Sequence, residues 1–195
     1  SKSSSGMHSS IRIIGGRYKG RRVPVPMEGV RPTPDRVRET VFNWLVPTIA
    51  GTRCLDMFAG TGALGLEALS RGAAEVVFIE HDRRAAGQLK EILAELQCQA
   101  GRVVVADALR LSYTGWGPFD IVFADPPFDA IDLTDLCKLL ESSGALAESA
   151  QIYMEMSKRQ SLPAVPSGWT IRREQTAGQV RYALAVRNCI TDAQE

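Results

Sequence analysis

From residue 53 onward, short apolar runs alternate along the chain with stripes of helical spacing. The runs are typical of buried strands, and they cover Arg53–Phe58, Glu75–Glu80, Val103–Ala106, Asp120–Ala124 and Gln151–Met156. The helical stripes lie between them at Ala63–Ser70, Asp82–Leu96 and Leu133–Glu141. This alternation predicts a doubly wound α/β fold with a mostly parallel sheet, in which ligands bind at the carboxyl ends of the strands.

Two further extended runs close the chain, Trp169–Glu174 and Gln179–Arg187, and Ala177-Gly178 separates them. A glycine turn between two extended runs is typical of an antiparallel hairpin. The sheet is therefore predicted to end in an antiparallel pair of strands.

The N-terminal part of the chain follows a different pattern. Ile11–Ile14 and Arg21–Val25 flank Gly15-Gly16 and predict a small hairpin. Thr33-Pro34 then resembles a helix start, with an N-cap residue followed by proline at the first helical position. One helical face collects the apolar residues Val37, Val41, Trp44 and Leu45, whereas Arg36, Arg38 and Glu39 lie off that face.

Composition agrees with a globular protein. The chain has 195 residues, of which 45% are hydrophobic, so it can bury a core and global disorder is excluded. No apolar run approaches the ~20 residues of a membrane helix, and the polar start lacks the hydrophobic region of a secretory signal. The four cysteines, Cys54, Cys98, Cys137 and Cys189, show no metal-ligand spacing, so we expect reduced thiols, a cytoplasmic location and no metal site.

The net charge of +1 hides an uneven distribution of charge. Residues 1–40 carry nine basic and three acidic side chains, a net +6, and the remainder of the chain carries −5. A basic arm on an acidic body predicts a polyanionic partner, although a solvated basic surface would give the same count.

The first candidate site is the turn after the strand at Arg53–Phe58. Gly60, Gly62 and Gly65 satisfy a dinucleotide-type glycine pattern, which a simple packing turn could also produce. Asp56 is a carboxylate inside an otherwise apolar strand. It would repel a pyrophosphate and attract a cation such as a sulfonium, which disfavours a nicotinamide cofactor.

Acidic residues end two further strands. Glu80 closes the second strand after the glycine turn, where an acid accepts hydrogen bonds from ribose hydroxyls. Asp107 follows the next strand and could accept from an adenine amino group, whereas His81 is expected at the rim.

The third candidate site is the tetrapeptide Asp125-Pro126-Pro127-Phe128, which follows an apolar strand. The Asp125 carboxylate and the Pro126 carbonyl can both accept from one planar amino group and so orient its nitrogen. Phe128 offers a face on which a base can stack. A rigid structural loop is the plainer interpretation of the same four residues.

Together these residues resemble class I S-adenosylmethionine-dependent methyltransferases that methylate exocyclic amino groups, and more narrowly the bacterial 16S ribosomal RNA guanine-N2 methyltransferase family. The matching blocks are Arg12-Ile13-Ile14-Gly15-Gly16, Arg31-Pro32-Thr33, Asp35-Arg36-Val37-Arg38-Glu39, the stretch from Phe58 to Ala68, and Asp125-Pro126-Pro127-Phe128.

The resemblance implies a Rossmann-like seven-stranded methyltransferase sheet with a small hairpin-and-helix extension. The expected boundaries are a flexible leader over 1–10, a basic RNA-binding extension over 11–47, the methyltransferase domain over 48–188 and a tail over 189–195. The expected partner is 16S ribosomal RNA within a small subunit or an assembly intermediate.

The resemblance also implies roles for individual residues. The methyl donor would contact Asp56, Phe58, Ala59, Gly60, Thr61, Gly62, Glu80, Asp107 and Ala108. Asp125, Pro126 and Phe128 would hold a flipped guanine. RNA phosphates would contact Arg12, Arg17, Lys19, Arg21, Arg22, Arg31, Arg36 and Arg38.

Three alternatives remain open on the sequence. An adenine-N6 methyltransferase acting on DNA or RNA would use the same grip on an amino group. A noncatalytic RNA-binding assembly protein could share the scaffold, because fold does not fix function. An NAD-dependent dehydrogenase is weaker, because it leaves Asp125-Pro126-Pro127-Phe128 unexplained.

Overall fold

A computed structural model describes residues 10–25, 32–127 and 130–188 of the protein. The strands are β1 Ser10–Arg12, β2 Arg22–Pro24, β3 Arg53–Asp56, β4 Glu75–Glu80, β5 Gly101–Val105, β6 Phe119–Ala124, β7 Leu146–Ser157, β8 Trp169–Ala177 and β9 Val180–Arg187. The helices are α1 Asp35–Leu45, α2 Ala63–Ser70, α3 Arg83–Glu95 and α4 Leu133–Ser142. None of these helices is long and apolar enough to cross a membrane.

Seven strands form one sheet in the order β5-β4-β3-β6-β7-β9-β8. The first five strands in this order are parallel, and β9 pairs antiparallel with both β7 and β8. The predicted fold class is therefore confirmed, including the C-terminal antiparallel hairpin. The chain crosses from β4 and β5 on one side of β3 to β6 on the other, so the topological switch point lies between β3 and β6.

Several strand bounds differ from the prediction by one to five residues, and two of these differences have a clear structural reason. β3 ends at Asp56, two residues early, because the chain there leaves the sheet for the glycine turn. β7 begins at Leu146, five residues before the predicted Gln151, and Leu146 pairs with Phe119 ahead of a register shift. Glu148 and Ser149 are exposed in this early part of β7, so it lacks the apolar run that identifies a strand.

The basic extension shares its hydrophobic core with the large sheet. The predicted N-terminal hairpin forms as antiparallel β1 and β2. Buried residues of this hairpin and of α1 belong to the same core cluster as those of α2 and α3, while α4 packs in a second cluster. The hairpin is thus fixed against the body of the protein.

Two expectations about α1 are wrong. Thr33 does not cap the helix: Pro34 occupies the N-cap position, with no side-chain cap hydrogen bond. Arg38 does not lie off the buried face, since its side chain is only 1% exposed. Charged residues usually avoid such burial unless they are paired. Asp35 on the same helix is one partner of Arg38, but Glu67 on α2 is a partner that the local sequence pattern could not show.

Glu67 on α2 anchors the hairpin. Its carboxylate accepts from the backbone N–H of Ile14 at 2.8 Å and of Gly15 at 3.1 Å. The next residue, Gly16, has a φ of +79°, and a Cβ there would overlap the carbonyl of Ser70. The close approach of backbone to backbone at this point therefore requires glycine.

Candidate active site

One large cavity opens at the carboxyl ends of β3, β4, β5 and β6, with a volume of about 1320 Å³. Most of the predicted ligand-binding residues line it: Asp56, Phe58, Ala59, Gly60, Thr61, Glu80, Asp107, Ala108, Asp125 and Pro126. Gly62 lies beside it as the N-cap residue of α2. Phe128 lies outside the described residues. The fold thus brings together groups that are up to 70 positions apart in the sequence, from Asp56 to Pro126.

The glycine turn between β3 and α2 depends on tight backbone geometry. Gly60 and Gly62 both have positive φ, at 55° and 81°. A Cβ at Gly65 would overlap the ring of Phe78, so this third glycine allows α2 to pack closely on β4. The turn therefore places backbone N–H groups at the cavity wall, where a ligand can approach them.

Asp56 stabilises this turn through a hydrogen bond to the start of α2. Its Oδ2 accepts from the backbone N–H of Gly65 at 3.1 Å. The pKa of Asp56 is raised to about 7, chiefly by burial and in part by the nearby charge of Glu80, whereas hydrogen bonds from the Gly65 and Phe58 backbone oppose the shift. A cation bound in the cavity would favour the charged carboxylate and lower this pKa.

Glu80 connects the end of β4 to the glycine turn. One carboxylate oxygen accepts from the Gly60 N–H at 2.7 Å, and the other accepts from the Asp82 N–H at 3.0 Å. Its side chain is 7% exposed, whereas the neighbouring His81 side chain is 77% exposed at the rim. Glu80 is therefore oriented by two backbone amides while it still lines the cavity.

Asp107 and Ala108 form the wall of the cavity after β5. The Asp107 carboxylate accepts from the Leu109 N–H at 3.0 Å, and the Ala108 carbonyl accepts from the Tyr113 hydroxyl at 2.7 Å. These contacts fix the loop, so the backbone of this segment presents a constant edge to the cavity.

Asp125 follows β6 and lies half-buried in the cavity wall. Its Oδ2 is 3.4 Å from the Thr33 hydroxyl. Burial raises its pKa well above the usual range, and the charges of Glu155 and Asp56 add to that shift. The carboxyl group therefore holds a proton to higher pH than an ordinary aspartate.

Sequence reasoning missed a second carboxylate beside Asp125. Glu155 on β7 lines the same cavity and is 5% exposed. Its Oε2 accepts from the Tyr153 hydroxyl at 2.8 Å and from the Thr33 hydroxyl at 3.1 Å. Glu155 interrupts an apolar strand in the same way as Asp56, so the signal that identified Asp56 could also have found it.

The predicted phosphate contacts differ in their exposure to solvent. Five of them are exposed on the hairpin segment and a sixth on α1: Arg12, Arg17, Lys19, Arg21, Arg22 and Arg36. Arg31 lies outside the described residues. The prediction that Arg38 contacts phosphate is wrong, because its guanidinium is buried against Asp35, Glu67 and two backbone carbonyls and does not face solvent.

Comparison with known proteins gives consistent matches. The family model described as "Conserved hypothetical protein 95" matches residues 11–186. The ribosomal RNA small subunit methyltransferase D of Escherichia coli (strain K12) is 51% identical over 178 residues, covering 91% of this chain and 90% of that protein. The solved structure "Putative methyltransferase yhhF from Escherichia coli" is 50% identical, with a TM-score of 0.86, and the match covers 93% of this chain and 99% of that chain.

A more distant structure shows how widely the fold is shared. "A putative sam-dependent methyltransferase from Streptococcus mutans" is 16% identical with a TM-score of 0.61, and the match covers 76% of this chain and 48% of that chain. The family match over nearly the whole chain, the 51% identity and the cavity at the switch point agree with one another. The chain belongs to the Conserved hypothetical protein 95 family, together with the small-subunit ribosomal RNA methyltransferases that it resembles.

Proposed function

We propose that this protein transfers a methyl group from S-adenosylmethionine to the exocyclic N2 of a guanine in 16S ribosomal RNA. The coarser part, a methyltransferase acting on small-subunit ribosomal RNA, rests on family membership and on the 51% identical relative that carries this name. The guanine and its N2 atom are the finer part of the proposal. The observation that carries the proposal is a cavity lined both by the glycine turn and by Asp125.

S-adenosylmethionine fits the chemistry of this cavity. When bound, it supplies an electrophilic methyl carbon on a positively charged sulfur. Asp56 and Glu80 give the cofactor end of the cavity a negative character that favours a cation over a pyrophosphate. Glu80 would accept from the ribose hydroxyls, the Asp107–Ala108 segment would meet the adenine, and the backbone from Phe58 to Gly60 would face the methionine part.

Asp125 and Pro126, which line the same cavity, would hold the target amino group. Two acceptors on one amino group fix its orientation, so that the nitrogen lone pair points at the methyl carbon. As the new N–C bond forms, the S–C bond breaks and one N–H proton leaves. A carboxylate with a raised pKa is suited to receive that proton. Phe128 would stack on the flipped base.

The pair of carboxylates favours guanine over adenine. The pairing edge of guanine presents the N2 amino group beside N1–H, so both positions are donors, whereas adenine presents its amino group beside an acceptor nitrogen. Asp125 and Glu155 face the same cavity and are bridged by one hydroxyl. A carboxylate has about four lone-pair sites, so Glu155 can accept from N1–H in addition to its present partners.

The exposed basic residues of the hairpin would contact RNA phosphates. β2 carries Arg22 on its surface and then leads to Pro24 and Val25, which line the cavity. A strand that is basic on its exposed side and reaches the cavity wall can guide a polyanion toward Asp125. This arrangement supports an RNA path that runs along the hairpin into the active site.

Nucleoside mass spectrometry of 16S RNA tests the proposal. RNA from a strain lacking this gene should lack one N2-methylguanosine, and wild-type protein should restore it. Complementation with Asp125→Ala should not restore it, whereas complementation with Asp135→Ala, a change at an exposed residue of α4, should. Loss of N6-methyladenosine instead would assign the enzyme to adenine, and no change in any modified base would favour the noncatalytic alternative.

Glu80→Ala is expected to weaken S-adenosylmethionine binding by about 1–3 kcal/mol. The change removes the proposed ribose acceptor and also leaves the N–H groups of Gly60 and Asp82 without their carboxylate partner. Isothermal calorimetry measures the effect. Glu75→Ala is the matched control: it lies at the opposite end of β4 in a half-exposed pair with Arg53 and should leave affinity unchanged. Equal affinities for Glu80→Ala and wild type would refute the ribose assignment.

A further inference from the structure

Thr33 is a residue of the N-terminal extension that contacts the candidate catalytic carboxylate. It is 4% exposed, and its hydroxyl lies 3.4 Å from Asp125 Oδ2 and 3.1 Å from Glu155 Oε2. The three residues come from the segment before α1, the loop after β6 and the strand β7. The single hydroxyl proton of Thr33 thus lies within reach of both carboxyl groups.

The backbone of Thr33 is held from the other side by Arg38. The guanidinium donates through Nε to the Thr33 carbonyl at 3.3 Å and through a terminal nitrogen to the Arg12 carbonyl at 2.9 Å. Arg12 is the last residue of β1 in the basic hairpin. One buried side chain therefore links the backbone of the hairpin to the residue that contacts Asp125.

We propose that Thr33 is a positioning residue that orients the Asp125 carboxylate toward the target amino group, and that Arg38 couples its position to that of the basic hairpin. The inference rests on the proposed function, because it takes Asp125 as the acceptor for that amino group. In this arrangement the RNA-binding extension supplies a structural part of the catalytic centre. Rotation of Asp125 away from the cavity would require loss of the Thr33 contact.

The electrostatics around Asp125 agree with this role. Among the residues that the structure describes, Glu155 and Asp56 are the charged groups that act on Asp125, and both favour its protonated form, whereas the Thr33 hydroxyl stabilises the charged form. Tyr153, which also packs nearby, donates to Glu155. Removing the hydroxyl should therefore raise the pKa of Asp125 further and leave less carboxylate at a given pH.

Three variants at position 33 test the inference. Thr33→Val and Thr33→Ala both remove the hydroxyl, one keeping the volume and the other leaving space, whereas Thr33→Ser keeps the hydroxyl. We expect both variants without a hydroxyl to slow single-turnover methylation of small ribosomal subunits by about tenfold, in line with ~1.5 kcal/mol for a hydrogen bond to a charged group. Their pH–rate profiles should shift to higher pH, and Thr33→Ser should restore rate and profile.

Binding and stability measurements separate positioning from packing. Affinity for S-adenosylmethionine and for RNA should stay within twofold of wild type in all three variants, and folding is checked by thermal unfolding. An equal loss of rate in Thr33→Ser, or a loss of rate without a shift in the pH profile, would overturn the inference, because packing alone gives both.

The Asp125→Ala variant distinguishes failure of the inference from failure of the proposed function. If Asp125→Ala is inactive while Thr33→Val and Thr33→Ala keep the wild-type rate, only the inference about Thr33 fails. If Asp125→Ala itself keeps the wild-type rate, the proposed amino-group acceptor is wrong and the inference falls with it.

Discussion

Replacing Asp125 with alanine is expected to slow methyl transfer by about 10²–10⁴-fold, the range for a positioned acid–base group. The carboxylate follows β6, whereas the glycine turn follows β3 and Glu80 ends β4, so the variant leaves the proposed cofactor-binding side chains intact. Affinity for S-adenosylmethionine should therefore change little, and the loss should appear in kcat. Single-turnover assays on small ribosomal subunits measure the rate, and calorimetry measures the affinity.

The pH dependence of the wild-type rate gives a second measure of the same group. The acceptor is the carboxylate form, and this form is lost as pH falls through the pKa of Asp125. Because that pKa is raised well above its usual range, the rate should climb with pH to a plateau and have a midpoint above ~3.9, the value for an ordinary aspartate. Asp125→Asn should lack this rise, and a rise that persists in Asp125→Asn would assign the titration to another group.

Replacing Arg38 with methionine is expected to lower the free energy of unfolding by about 3 kcal/mol, the lower end of the range for breaking a buried ion pair. The effect should not reach the upper end, because Glu67 keeps hydrogen bonds from the Ile14 and Gly15 backbone and from Arg71 at 3.3 Å. Urea unfolding measures it. Arg36→Met is the matched control, since Arg36 is exposed on the same helix, and it should stay within ~0.5 kcal/mol of wild type.

RNA binding, unlike stability, should depend on the exposed arginines and not on the buried Arg38. Charge reversal at Arg17, Arg21 and Arg22 should weaken RNA binding and flatten its dependence on salt, because these exposed side chains would release fewer counterions. Unfolding free energy and S-adenosylmethionine affinity should stay unchanged. Arg38→Met should keep the wild-type salt slope in its folded fraction. A flattened slope in Arg38→Met with unchanged stability would instead make Arg38 a phosphate contact.

The sequence by itself determined the layered α/β fold. Apolar runs such as Glu75–Glu80 are buried in the structure, and the amphipathic stripe after Asp82 forms α3 with Asp82 as its N-cap. These features depend on neighbours a few residues apart, which periodicity reports directly. The positions of Asp56, Glu80 and Asp125 at strand ends followed as well, because parallel strands carry their carboxyl ends to one edge.

Only the tertiary structure decided what surrounds those carboxylates. Thr33 has the sequence of a helix cap, yet its hydroxyl contacts Asp125 and Glu155, which lie 92 and 122 residues away. Arg38 has the spacing of an exposed residue, yet it is buried because Glu67 on α2 and two backbone carbonyls surround its charge. A local pattern gives the face of a helix, but partners such as Glu67 for Arg38 and Asp125 for Thr33 come from distant segments, and only packing in three dimensions brings them together.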